Sequence, residues 1–238
     1  MGRRYGKVSM NGFNLKLIAM ITMFIDHMAA ILLPSESTAW LVCRSIGRLA
    51  FPIFCFLLVE GFLHTHNVKK YLARLLLFAL ISEIPFDLAF TSRSIHNGFL
   101  LHQNIFFTLF IGLAVIYGLS ITSTVFAKNI VIDKLLQSLL ILTGCFIAYK
   151  LNTDYEYMGV LMIVAFYLLR NNKILLVLAV LSVNTLFGLG IQTLGAVSMM
   201  FILTYNGKRG RQGNKYLFYV FYPAHIFALY LISLLPVF

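Results

Sequence analysis

Asp26 and His27 stand side by side in IAMITMFIDHMAAILL (Ile18–Leu33), a stretch whose other residues carry no charge. Buried in hydrocarbon, a carboxylate and an imidazole are costly, so each needs a partner or a purpose. A neutral imidazole held by a carboxylate is a suitable general base near neutral pH. Neighbouring helical side chains diverge by about 100°. Asp26 therefore faces a second helix, and an arginine is its natural partner. His27 needs a carboxylate from elsewhere, with Asp87 and Glu83 the candidates.

More polar residues interrupt later apolar runs. Arg44 and Arg48 are one turn apart, as are Glu83 and Asp87, which flank Pro85. His102, Gln103 and Asn104 open another run, and His225 lies inside the last one, at about the depth of His27. Two arginines and three acids should pair, since unpaired charges at such depth are expensive. Arg44, Arg48, Glu83 and Asp87 then form one ion network joining three helices, or contact substrate directly. His27, His225, Glu83 and Asp87 are the candidate catalytic groups. Asp26, Arg44, Arg48, Glu60, His102, Gln103 and Asn104 are candidate substrate contacts.

The elements that position these residues are helices in lipid. Of the 238 residues, 60% are hydrophobic and 11% charged, against about 45–50% and about 25% in a soluble domain. One core of this size cannot hide that surplus, so lipid must cover the rest. The reading is an all-α, polytopic transmembrane bundle forming one domain over residues 1–238. Nine spans are expected, at about Leu15–Leu33, Ala39–Leu63, Val68–Phe90, Leu101–Ile121, Ile132–Tyr149, Tyr157–Leu169, Ile174–Phe187, Ile191–Tyr205 and Tyr216–Leu235. The seventh and eighth are short for a span of ~20 residues and are expected to tilt or to form a re-entrant pair.

The net charge of +11 is clustered between apolar runs, as the positive-inside rule expects, which argues against a nucleic-acid partner. Met1–Lys7, His64–Lys70, the Lys128–Lys134 link, Arg170–Lys173 and Lys208–Lys215 carry most of the basic residues. The Pro34 turn, the Asn152–Glu156 link and the Gly188 turn carry almost none; Thr91–Gly98 is mixed, with Arg93. Nine spans alternate these sets, which places the N-terminus in the cytoplasm and the C-terminus outside.

Asn67 is a plausible N-cap, which puts Lys69 and Lys70 in a first helical turn where the dipole disfavours cations. A bound anion relieves that conflict, and helix N-termini take phosphates readily. Lys208, Arg209 and Arg211 offer a second basic patch on the same side. Cys43, Cys55 and Cys145 form neither a CxxC pair nor a metal spacing and read as apolar fillers. No metal site is expected.

Four segments, LKLIAMITMFIDHMAAIL, IGRLAFPIFCFLLVEGF, HNVKKYLARLLLFALISEIPFDLAF and HQNIFFTLFIGL, cover most of Leu15–Leu113 and resemble the TraX family. FYPAHIFALYLI (Phe221–Ile232) is also similar to the terminal helix of wider membrane acyltransferase groups. The family's named member is implicated in acetylating the pilin N-terminus in conjugative transfer. The resemblance thus implies a multispanning bacterial inner-membrane acetyltransferase that uses acetyl-CoA. It puts His27 at the intramembrane histidine of related acyltransferases. Lys69, Lys70, Lys208, Arg209 and Arg211 would then hold the donor's phosphates, and Asn104 or Gln103 would donate to an oxyanion. Direct transfer is expected, because no cysteine sits beside a base. The expected partners are membrane lipid, an acceptor (a protein N-terminus, a glycan or a small molecule) and a second copy of the chain. A proton-coupled transporter with a midplane polar site is the alternative reading.

Overall fold

A computed structural model describes residues 9–35, 37–90, 102–186, 190–211 and 215–235. The basic Met1–Lys7 segment, the Thr91–Gly98 link with Arg93, and most of the Gly188 turn lie outside the described residues. The helices are α1 (Gly12–Leu32), α2 (Thr38–Gly47), α3 (Ala50–Leu63), α4 (Val68–Phe90) and α5 (Ile105–Val125). After these come α6 (Ile130–Lys150), α7 (Glu156–Leu169), α8 (Lys173–Leu186), a 3₁₀ run (Ile191–Ser198), α9 (Met199–Ile202) and α10 (Lys215–Ser233). The protein is all-helical, and among the described residues five helical stretches are long and apolar enough to cross a membrane: 12–32, 38–63, 105–125, 130–150 and 216–233.

Local chemistry sets the helix starts. Asn11, Ser37, Asn104 and Asn129 each turn a side-chain oxygen onto an early backbone N–H of the helix that follows. Asn67 does the same for α4 through the Lys70 N–H at 2.9 Å. Because Asn104 is the cap, α5 begins at Ile105 rather than near Leu101. His102 and Gln103 therefore lie in the connecting segment, where Gln103 pairs with Thr153 in an isolated bridge.

Two expected spans differ in kind from continuous α-helices. The second is broken between Gly47 and Ala50. Pro52 has no N–H to offer the carbonyl of residue 48, and its ring crowds that carbonyl, which ends one helix and starts the next. The eighth is mostly 3₁₀, an unusually long run for that tighter winding. Gly195 lies at its centre, where a Cβ would strike the side chain of Asn184 and crowd the Arg48 carbonyl.

Helices α5, α6 and α7 pack on one another, α1 lies against α2, α3 and α10, and α10 packs on α4. The core runs through Leu113, Ile116, Val160, Ile163 and Phe166, all nearly or fully inaccessible. The outside is apolar as well. On α6, Leu135, Leu139, Leu142 and Phe146 form a stripe at helical spacing, each 59% or more exposed. Such a stripe is stable against lipid and not against water. At one end of the bundle, Met10 bridges Tyr205, and the Gly12 and Phe13 N–H groups donate to the Lys208 and Arg209 carbonyls at 2.9 and 3.1 Å. The opposite end holds the Pro34 turn.

Candidate functional site

Asp26 points from α1 to α2. Its two carboxylate oxygens each receive an arginine nitrogen at 2.6 Å, one from Arg44 and one from Arg48. The two arginines share a face because they are one turn apart. Gly47 lies against Asp26, and a Cβ there would overlap the aspartate side chain. Arg48 reaches further, with Nη1 donating to the Tyr155 hydroxyl at 3.4 Å and to Gln192 Oε1 at 3.3 Å. Gln192 donates on to Asn184 Oδ1 at 3.1 Å, and Asn184 to the Val180 carbonyl at 2.8 Å. One carboxylate thus ties α1 to α2, the loop before α7, the 3₁₀ run and α8.

Glu83 belongs to a different cluster. Its Oε2 accepts from the side-chain amide of Asn104 and from the Asn104 backbone N–H at 3.3 Å. The other amide hydrogen of Asn104 goes to the Ala79 carbonyl at 2.8 Å, and its Oδ1 caps α5. The expected single network of Arg44, Arg48, Glu83 and Asp87 is therefore at least two, because Asp26 takes both arginines and Glu83 holds the start of α5. Asn104 has no amide hydrogen left for an oxyanion. Asp87 stands half-buried one turn beyond Glu83.

The neighbour of His27 is a histidine. His27 Nδ1 and His225 Nε2 are 2.7 Å apart, and His225 Nδ1 is 2.6 Å from the Phe221 carbonyl oxygen. The two ring planes differ by 6° with centroids 5.0 Å apart. Since the nitrogens are so much closer than the centroids, the rings meet edge to edge in nearly one plane. A carbonyl only accepts, so His225 carries its proton on Nδ1. In the neutral ring its Nε2 is then an acceptor. His27 must donate from Nδ1, which leaves the lone pair on His27 Nε2. That is the form a general base requires. Phe90 and Tyr222 stand edge-on to the His27 ring, with centroids 5.6 and 5.8 Å away, and Phe221 stacks on His225 at 4.5 Å. This aromatic box keeps the pair in an apolar setting.

A strained loop closes the Pro34 end. Asn152, Tyr155 and Glu156 have φ of 49°, 63° and 40°, in a region that residues with a Cβ rarely adopt. The loop is held by Gln103, whose N–H donates to the Asn152 carbonyl at 3.0 Å and whose carbonyl accepts from the Asp154 N–H at 2.8 Å. Thr108 also hydrogen-bonds the Asp154 carbonyl, and the Tyr155 ring stacks on Phe51 at 3.8 Å. Burial raises the pKa of the Asp154 carboxyl, against the opposing pull of His102 and Arg48. The sequence pattern alone does not single out Asp154, Tyr155, Asn184 or Gln192. Asn184 and Gln192 share with Asp26 only the mark of a polar residue inside an apolar run.

At the Met10 end, Lys69 and Lys70 occupy the first turn of α4 and are exposed, as are Lys208, Arg209 and Arg211. Glu60 faces His64 at 4.0 Å. His27 lies fifteen residues along α1 from Gly12, a climb of about 22 Å from this basic end.

The TraX protein family model matches residues 11–233. The chain belongs to the TraX family. A curated relative, the probable fimbrial assembly protein FimC of serogroup H1 from Dichelobacter nodosus, is 32% identical over 229 residues, covering 92% of this chain and 94% of its own. No solved structure matches the chain. The TraX match takes in every side chain of the two polar clusters and the histidine pair.

Proposed function

We propose that this TraX-family protein is a multi-pass acetyltransferase of the bacterial inner membrane. It moves an acetyl group from cytoplasmic acetyl-CoA to an amine or hydroxyl acceptor near the outer side. The relative's name ties it to fimbrial assembly, so an assembly subunit is the first acceptor to test. The observation that carries the reading is the Phe221–His225–His27 chain, which leaves a lone pair on His27 Nε2 within the bundle.

The N-terminus is taken as cytoplasmic, in line with the basic residues of the Met10 end. Lys69, Lys70, Lys208, Arg209 and Arg211 then stand where the donor's phosphates enter. His27 Nε2 takes the proton from the acceptor as its nitrogen or oxygen attacks the thioester carbonyl. The new C–N or C–O bond forms, the C–S bond breaks, and the proton passes from His27 to the departing sulfur. His225 holds the His27 ring in its reactive tautomer and shares the positive charge while the proton is on the pair. Asp26 acts at one remove, fixing α1 against α2 through Arg44 and Arg48.

The test is transfer of radiolabelled acetyl from acetyl-CoA by purified wild type and His27→Ala. Loss of about 10²-fold or more in the variant is expected for a general base, and equal transfer removes His27 from the mechanism. A histidine pair at this depth also suits a proton-coupled carrier. Substrate flux in proteoliposomes without an acyl donor would favour that reading instead.

A further inference from the structure

A cavity of about 180 Å³ opens at the Met10 end between α3, α7, α8 and α9. Its floor is apolar, formed by Phe56, Phe166, Leu176 and Ile202, and its wall carries Arg170 and Lys173. This cavity is separate from the histidine pair, which lies between α1 and α10 and toward the other end of α1.

Charge at the wall favours an anion. Glu60 is the acid lining it, and Glu60 is engaged by the Tyr205 hydroxyl and by His64. The Tyr205 hydroxyl donates to that carboxylate. Arg170 turns one nitrogen to the Tyr167 carbonyl at 2.6 Å, and its guanidinium lies over the Tyr167 ring at 5.1 Å. That leaves its remaining N–H groups for a ligand. Lys173 sits in the first turn of α8, whose start is capped by Asn172 through the Leu175 N–H at 3.1 Å. The dipole there opposes a cation, and a bound anion resolves the conflict.

We propose that this cavity binds a phosphate ester carried on an apolar chain, with the phosphate between Arg170 and Lys173 and the chain on Phe56, Phe166 and Leu176. The combination of a basic rim and an apolar floor excludes a free inorganic anion as the best fit, because it leaves the floor wet. An anionic membrane phospholipid has this chemistry; coenzyme A does not, because the amides and hydroxyl of its pantetheine arm would be left unpaired on the apolar floor. The proposal stands independently of the acetyl-transfer reading.

The experiment is calorimetric titration of the full-length protein in neutral detergent with short-chain phosphatidylglycerol, short-chain phosphatidylcholine and coenzyme A. Wild type is compared with Lys173→Gln, with Arg170→Gln/Lys173→Gln, and with Lys128→Gln/Lys134→Gln, which removes two cations elsewhere on the chain. Both residues of the test pair are exposed, so their loss leaves the packing intact. Saturable binding of phosphatidylglycerol over phosphatidylcholine, weakened about thirtyfold by the double variant and spared by the control, supports a lipid site. The same pattern with coenzyme A alone overturns the lipid assignment. Binding that is absent from wild type, or that the control pair weakens as much as the test pair, overturns the proposal.

Discussion

His27 Nδ1 and His225 Nε2 meet at 2.7 Å although 198 positions separate them in the chain. The contact joins the first helix to the last, and its direction is dictated by the Phe221 carbonyl, which can only accept. The same α1 turn carries Asp26 on another face, toward α2. One helix therefore holds a histidine pair on one side and an ionic tie on the other.

Asp26 is the shared counter-charge of Arg44 and Arg48. Asp26→Asn leaves two arginines without their shared counter-charge in a low-dielectric setting, with an expected loss of about 3–5 kcal/mol. Gly47→Ala pushes a methyl group into the same carboxylate, with an expected cost of about 1–3 kcal/mol from overpacking alone. Denaturant titration of the purified variants measures both. An Asp26→Asn protein as stable as wild type would show that the arginines find other partners.

Glu83 holds the start of α5 through Asn104. Glu83→Ala removes the acceptor for the Asn104 amide and backbone N–H, with an expected loss of about 1–3 kcal/mol. Glu83→Gln keeps a carbonyl oxygen there and is expected to restore most of it. The comparison separates a structural carboxyl from a catalytic one. Full stability in Glu83→Gln with activity lost would move Glu83 into the chemistry.

Asp154 sets a pH signature. Burial raises its pKa in the folded protein, so its charged form is the disfavoured one and costs stability above that pKa. The cost disappears as the pH falls and the carboxyl becomes neutral. Asp154→Asn is therefore expected to melt higher than wild type near neutrality, with the gap closing in acid. Thermal unfolding across pH reads this directly, and a gap that is the same at every pH would contradict it.

Much of the architecture is legible from composition. The apolar runs and the basic clusters between them mark the helical segments, and the polar residues within the runs mark the candidate site. Asp26 reads as an arginine partner because it adjoins His27 and so faces another way. What sequence spacing does not give is pairing across the bundle. Glu83 and Asp87 are equally plausible carboxylate partners for His27 on depth alone, whereas in the structure Glu83 is turned to Asn104 and His225 meets His27. The 3₁₀ run escapes because apolar periodicity looks alike in both windings over so few residues. The Asp154 loop escapes because left-handed Tyr155 and Glu156 have no sequence mark, being neither glycine nor asparagine.

The histidine pair is best tested by a double-mutant cycle on acetyl transfer, measuring kcat/KM for His27→Ala, His225→Ala and the double variant, each confirmed folded. If the two act as one proton-handling unit, each single variant falls by about 10²-fold or more and the double variant falls little further. Additive losses, or a His225→Ala variant with wild-type transfer, would contradict the relay.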